Sequence, residues 1–395
     1  MMKFDTKTYR ISDSSKVGQI ALTVGIVGLA LAAVGFFTDR EHFFFAYLTA
    51  FTFWVTIALG ALFFTMLQHL TGASWSIVIR RIVENLMAPL PWLFILFIPI
   101  LFGLHDLYHW SHPEAVATDA LLQKKAGYLN PTFFAIRAVV YFLIWSALAH
   151  FLYKTSISQD SGHREEHWKK LKAISAPGMI IFAITTTLAG FDWLMSLEPH
   201  WYSTIYGVYF FVGGLWTVLA VIAIVVSRLQ KNGVLKNEIT VEHYHDIGKL
   251  MFAFTIFWTY IGFSQYFLQW YANIPEETIW YLDRWVGSWK AVSMVILFGH
   301  FVIPFTVLIF RGVKRSPKLL YVVAIYFMVM HWVDHYWLAF PTLYKDGAHF
   351  SWIDIATTIG IGGIFVWAFW SKLIKNPVLP VADPKLGESL NFKNM

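Results

Sequence analysis

Apolar positions run in stretches of about 20 residues, separated by short polar turns, and the pattern repeats ten times along the chain. A stretch of that length crosses the hydrocarbon core of a bilayer as a helix, because backbone groups in lipid must be bonded within their own segment. The pattern predicts transmembrane helices at about residues 16–37, 43–69, 77–104, 131–153, 173–196, 203–227, 247–272, 288–310, 319–340 and 351–371. The expected fold class is an all-α polytopic membrane protein.

Composition supports that expectation. A soluble chain of 395 residues would suggest two or three domains, but 57% hydrophobic and 18% aromatic residues against 14% charged ones is not a soluble composition. The net charge of +6 raises nucleic acid as a partner, and its distribution removes it. Of the 30 Lys and Arg, 23 fall in the two terminal segments and the even-numbered connections, 6 in the odd-numbered connections, and Arg137 lies within a helix. This is the positive-inside pattern, which predicts an inner-membrane protein with both termini on the cytoplasmic side. The absence of cysteine excludes disulfides, thiolate metal sites and protein-ligated iron–sulfur clusters within this chain. Ala30-Leu31-Ala32 behind a basic start imitates a cleavable signal, and the expectation is that this first helix is retained.

A duplication emerges between helices 2–5 and helices 6–9. Asp192-Trp193 precedes Pro199 by the same seven positions that separate Asp334-His335 from Pro341. Arg137-Ala138-Val139 corresponds to Lys290-Ala291-Val292, and Leu86-Met87 to Leu250-Met251. An even number of helices per unit gives both units the same orientation, unlike the inverted repeats of many transporters. The expected division is residues 1–42 for the amino-terminal segment and first helix, 43–200 and 201–345 for two four-helix bundles, and 346–395 for the tenth helix and tail.

Ionisable groups within membrane spans are costly and point to function. Arg137 and Asp192 form one candidate group. Lys290 and Asp334 are their counterparts, joined by His331 and His335, and positions 331, 334 and 335 share one helical face. His300 lies near the middle of helix 8, and Gln265, Tyr266 and Gln269 make a further polar set on helix 7. Histidine titrates near neutrality and a neighbouring carboxylate accepts its proton, which is the chemistry a quinol needs when its oxidation releases two protons. The competing structural reading makes Arg137–Asp192 and Lys290–Asp334 ion pairs near the outer interface. A bis-histidine haem on His300 and His331 would need a small-residue setting that neither position has. His69 and His150 fall at helix ends, where an interfacial role suffices. Pro89, Pro91 and Pro99 are expected to kink or unwind helix 3. In the outer loop at about residues 105–130, His105, Asp106, His109 and His112 are of metal-binding type, but without a sustained helix their spacing does not define a site. Pro113 is placed to start a short surface helix running to Lys125, and docking of an extrinsic subunit is the expected use of that loop.

The run from Lys125 through Gly127-Tyr128-Leu129-Asn130-Pro131 to Arg137, continuing to Tyr141-Phe142, resembles the ActF-type second large membrane subunit of bacterial alternative complex III. So does Gly190-Phe191-Asp192-Trp193-Leu194-Met195-Ser196-Leu197-Glu198-Pro199-His200-Trp201-Tyr202, continuing to Gly207. That complex is a quinol:cytochrome c (or other electron acceptor) oxidoreductase, and the subunit belongs to the polysulfide-reductase NrfD-like superfamily of two four-helix bundles flanked by single helices. The resemblance implies a subunit without its own haem or iron–sulfur cluster, beside a homologous quinol-oxidising membrane subunit and beneath extrinsic iron–sulfur and cytochrome c subunits, in contact with lipid. It implies quinone or menaquinone as candidate ligand near Arg137, Asp192 and Trp193, and proton translocation through half-channels. Asp192, His300, His331, Asp334 and His335 are the candidates on such a path. A secondary transporter and a structural membrane anchor are the alternatives.

Overall fold

The structure is a computed structural model that describes residues 9–11, 16–162 and 164–394. Lys3 and Lys7, which contribute to the expected basic amino-terminal segment, lie outside the described residues. Ten helices are long and apolar enough to cross a membrane, and no strand occurs among the described residues. They are α1 (Val17–Thr38), α2 (Arg40–Thr71), α3 (Ile77–Phe102), α4 (Pro131–Ser158), α5 (Arg164–Trp193), α6 (Tyr206–Lys231), α7 (Val241–Ala272), α8 (Trp289–Leu308), α9 (Pro317–Ala339) and α10 (Trp352–Leu373). The protein is therefore an all-α, multi-pass membrane protein.

Several helices outrun the apolar stretches that predict them. α5 starts at Arg164 and α7 at Val241, ahead of the expected 173 and 247, because a helix continues through polar turns that a hydropathy pattern assigns to loops. α4 begins with Asn130 accepting from the Phe133 N–H and Pro131 in the first turn, and α10 begins with a capping box between Ser351 and Asp354. Prolines act where backbone donors are lost. α3 divides into Ile77–Leu86 and Leu90–Phe102, with the break at Met87–Pro89, whereas Pro99 stays within the second piece. In α8, Pro304 has no N–H to offer the carbonyl of His300 four residues earlier, and the turns before it widen into a π-helix over Ile296–Val302.

α2 is the axis of the molecule and is buried along most of its length. Helices α2, α3, α4 and α5 pack as one closed ring, each touching the next, and α6, α7, α8 and α9 pack as a second. The rings meet where α2 crosses α6 and α9 and where α5 packs on α6. A Cβ on Gly60 would stand 2.5 Å from the Gly214 carbonyl oxygen, and one on Gly214 would stand 2.5 Å from that of Thr56, so only glycine admits this crossing. α10 lies against α2 and α3, and α1 lies against α10.

Candidate functional site

The periodicity of α9 carries His331, Asp334 and His335 inward on one face, and all three are at most 2% exposed. The face they meet belongs to α2, where Thr49, Thr52 and Thr56 follow His42 at helical spacing. The Thr56 hydroxyl donates to the carbonyls of Thr52 and Phe53 (2.9 Å each), so its oxygen accepts from His331 Nε2, also at 2.9 Å. With the hydroxyl proton on a backbone carbonyl, His331 carries its own on Nε2 and leaves Nδ1 as the free nitrogen. His335 Nε2 lies 3.3 Å from His331 Nε2, close enough to share that proton.

His300 joins this group from α8. The π-helical turns aim its ring into the second ring of helices, where it is fully buried between the indoles of Trp216 and Trp258, with centroids 4.0 and 3.6 Å away. Among the described residues, neither of its ring nitrogens has a hydrogen-bond partner, nor do the Nδ1 atoms of His331 and His335. One ligand-type atom from each of His300, His331 and Asp334 falls within 4.8 Å of the others. Asp334 Oδ1 accepts from the Tyr209 hydroxyl on α6. The indoles that flank His300 fill the space a porphyrin would need beside it. The arrangement brings a carboxylate, three imidazoles and a tyrosine together in a buried interior, a set that holds and exchanges protons.

The first ring is built differently. Asp192 on α5 accepts from Arg137 Nε at 2.8 Å, Arg137 Nη2 at 2.9 Å and the Tyr141 hydroxyl at 2.8 Å, while Arg137 Nη1 donates to the Tyr128 carbonyl. The guanidinium also lies over the Tyr128 ring, 3.8 Å from its centroid. All three guanidinium nitrogens are thus engaged, in a bidentate clamp. Trp193 is packed among Phe51, Phe97 and Phe142, and its carbonyl accepts from Tyr108.

Lys290 departs from its expected place. It is exposed, its ammonium sits over the Trp285 ring, and Asp334 takes its hydrogen bond from Tyr209 instead. The buried cation at this end of the second ring is Arg284, which donates to Glu198 and to the carbonyls of Trp280, Trp337 and Leu338 and stacks on Trp280. Lys290 occupies the first turn of α8, whose polar side faces outward, whereas Arg284 follows the short helix Pro275–Asp283 that folds back over the ring. Gln265 and Gln269 face inward and bind Ser203, Tyr281 and Trp201, tying that short helix to the segment before α6, while Tyr266 is exposed.

Two further buried polar groups depart from the sequence reading: His42 carries no signal in the hydrophobic pattern, and His69, expected in an interfacial role at a helix end, is buried. His42, just ahead of the apolar run that predicts helix 2, binds Asp354 Oδ2 at 3.2 Å and the Tyr344 hydroxyl at 3.0 Å. At the opposite end of α2, His69 lies 3.9 Å from Glu84, which is flanked by Arg80 and Arg81. Arg80 also pairs with Asp383 and Arg81 with Asp160, so these two arginines are interior groups and not loop charges. Their signal was available: all three charged residues fall within the third apolar stretch, four positions or fewer apart.

The outer loop forms two short helices, Pro113–Thr118 and Ala120–Lys125, in place of one, because Asp119 stops the first and caps the second. Hydrogen bonds from His200 and from the backbone of Leu122 and Leu121 hold the Asp119 carboxyl below its usual range. The His105 and His112 rings stack, and Asp106 pairs with Arg40. Among the described residues these side chains do not converge as a set of three ligands.

No protein-family model matches this chain, and no curated protein matches it.

Proposed function

We propose that this chain is an integral membrane subunit of a quinol-oxidising respiratory complex and that its own task is to move protons, with electron transfer left to partner subunits. The observation that carries this reading is the His300–His331–Asp334–His335 cluster, whose free imidazole nitrogens are sealed in an apolar interior. An unbonded buried nitrogen costs stability, about 1–3 kcal/mol by the usual measure, and three imidazoles with that penalty in one pocket point to function.

Position along α2 supports the same reading. At about 1.5 Å per residue, Thr56 stands roughly 21 Å from His42 and roughly 20 Å from His69, so the cluster lies near mid-membrane with a polar group toward either face. His42 with Asp354 would serve one half-path and His69 with Glu84 the other, both meeting at His331. The partners in this proposal are a homologous quinol-oxidising membrane subunit, an iron–sulfur subunit and cytochrome c subunits, in a bacterial inner membrane with the basic end cytoplasmic. The Arg137–Asp192 clamp, with every guanidinium nitrogen bound internally, favours a structural role over a quinone pocket.

The test is Asp334→Asn in the assembled complex reconstituted into vesicles. The expected result is normal assembly and quinol oxidation with proton translocation lost. Undiminished translocation would overturn the proposal, and failure of the chain to co-purify with haem and iron–sulfur proteins would remove the respiratory assignment.

A further inference from the structure

A cavity of about 380 Å³ opens between α3, α4 and α10 near the basic end of the protein. The break in α3 at Met87–Pro89 creates it, and small residues on the facing helices, among them Ser146, Ala149 and Ser371, keep it open. Its lining is sorted by chemistry. Lys372 and Lys375 supply positive charge, and neither has a carboxylate partner among the described residues. The Lys372 ammonium rests over the Tyr153 ring, 4.5 Å from its centroid. Glu84 supplies a buried carboxylate whose Oε2 accepts from Ser156 and faces Arg81 at 3.4 Å, while Oε1, 3.3 Å from Arg80 Nε, accepts no hydrogen bond among the described residues. Trp92 and Trp367 meet edge to face at 4.8 Å and, with Pro91, form an apolar wall that continues into the lipid-facing surface.

We propose that this cavity holds one phospholipid whose headgroup carries both a phosphate and a primary ammonium, as phosphatidylethanolamine does. The phosphate is bound by Lys372 and Lys375, the ammonium turns toward Glu84, and an acyl chain follows Trp92 and Trp367. Two unpaired lysines at headgroup depth select for phosphate. The carboxylate among them disfavours a lipid that brings negative charge alone, and a zwitterion with a compact, hydrogen-bonding cation satisfies both signs. A quaternary ammonium has no N–H to donate to Glu84, so phosphatidylcholine fits less well. The proposal uses none of the residues of the α2–α9 cluster and shares only Glu84 with the proton-moving reading, and the lysine and Ser371 variants below leave that residue in place.

Native mass spectrometry of the full chain in detergent tests it, with phosphatidylethanolamine, phosphatidylglycerol and phosphatidylcholine supplied in turn. The expected result is one retained phosphatidylethanolamine per chain, preferred about tenfold over the other two. Retention is lost in the Lys372→Met/Lys375→Met variant and in Ser371→Trp, which fills the cavity without touching the ion pairs. Glu84→Gln brings the ethanolamine and glycerol lipids level. Equal retention of all three lipids by the wild-type protein would overturn the proposal, as would unchanged retention in either of the first two variants. Competition by free phosphoethanolamine at concentrations comparable to the lipid would overturn the lipid as the source of the headgroup.

Discussion

Thr56 on α2 and His331 on α9 are joined by a 2.9 Å hydrogen bond that crosses the boundary between the two rings of helices and fixes which nitrogen of the imidazole is free. That direction holds when the hydroxyl's single proton lies on the carbonyl of Thr52 or Phe53. Thr56→Val keeps the shape and removes the acceptor. The expected loss is about 1 kcal/mol of stability, small for a membrane bundle, together with a several-fold fall in proton translocation as His331 loses its fixed tautomer. Thr56→Ser should restore translocation, and a Val variant that matches the wild type would show that the bond is only structural.

Arg137 and Asp192 should behave in the opposite way. Removing one member of a buried, bidentate pair leaves an uncompensated charge, a cost of about 3–5 kcal/mol. Arg137→Gln and Asp192→Asn are each expected to lower the thermal unfolding midpoint in detergent markedly, whereas Asp334→Asn, which keeps a carbonyl oxygen for Tyr209, should lower it little. The contrast between those midpoints is the measurement.

The sequence exposed the membrane fold because each span must satisfy its own backbone, so the signal is local and strong. The stripe of His331, Asp334 and His335 was equally local, a matter of spacing on one helix. Their partners were not. Thr56 lies 275 positions from His331, and nothing in the threonine's neighbourhood announces that relationship. His300 shows a second limit, since its inward aim depends on the π turns ahead of Pro304 and not on regular periodicity. Lys290 shows a third: the aligned position suggested a counterpart to Arg137, but Arg284 from a folded-back segment occupies the interior. Arg80 and Arg81 were absorbed into the charge asymmetry because counting basic residues by loop ignores which of them turn inward.

The crossing of α2 and α6 tolerates no side chain. Gly214→Leu would drive its Cβ to within 2.5 Å of the Thr56 carbonyl oxygen, a backbone atom that cannot swing aside. The expected outcome is separation of the two rings, read as loss of a monodisperse species in size-exclusion chromatography. Gly312→Leu, at a position where a Cβ meets nothing within 4 Å, is the control and should leave the profile unchanged.

The outer loop carries a pH dependence of known sign. Asp119 has a carboxyl held below its ordinary pKa in the folded protein by His200 and by backbone N–H groups. Its stabilising contribution is present at neutral pH and is lost as pH falls through the depressed folded value, below the usual carboxylate range of about 4. Hydrogen exchange across Pro113–Lys125, corrected for its intrinsic pH dependence, should therefore quicken in acid, and Asp119→Asn should show the quickened rate at neutral pH. An Asn variant as protected as the wild type at neutral pH would refute the capping role.

The buried residues of α1 are Gly25, Gly28, Ala32 and Gly35, a single stripe that fits against Gly360 and Gly363 of α10, while the rest of the helix looks outward into lipid. α1 therefore finds its main partner only when α10, nine spans later, arrives. Until α10 is made, α1 must drift in the bilayer with its notched side uncovered, and a late act of folding is a clasp that fastens two spans far apart in the chain.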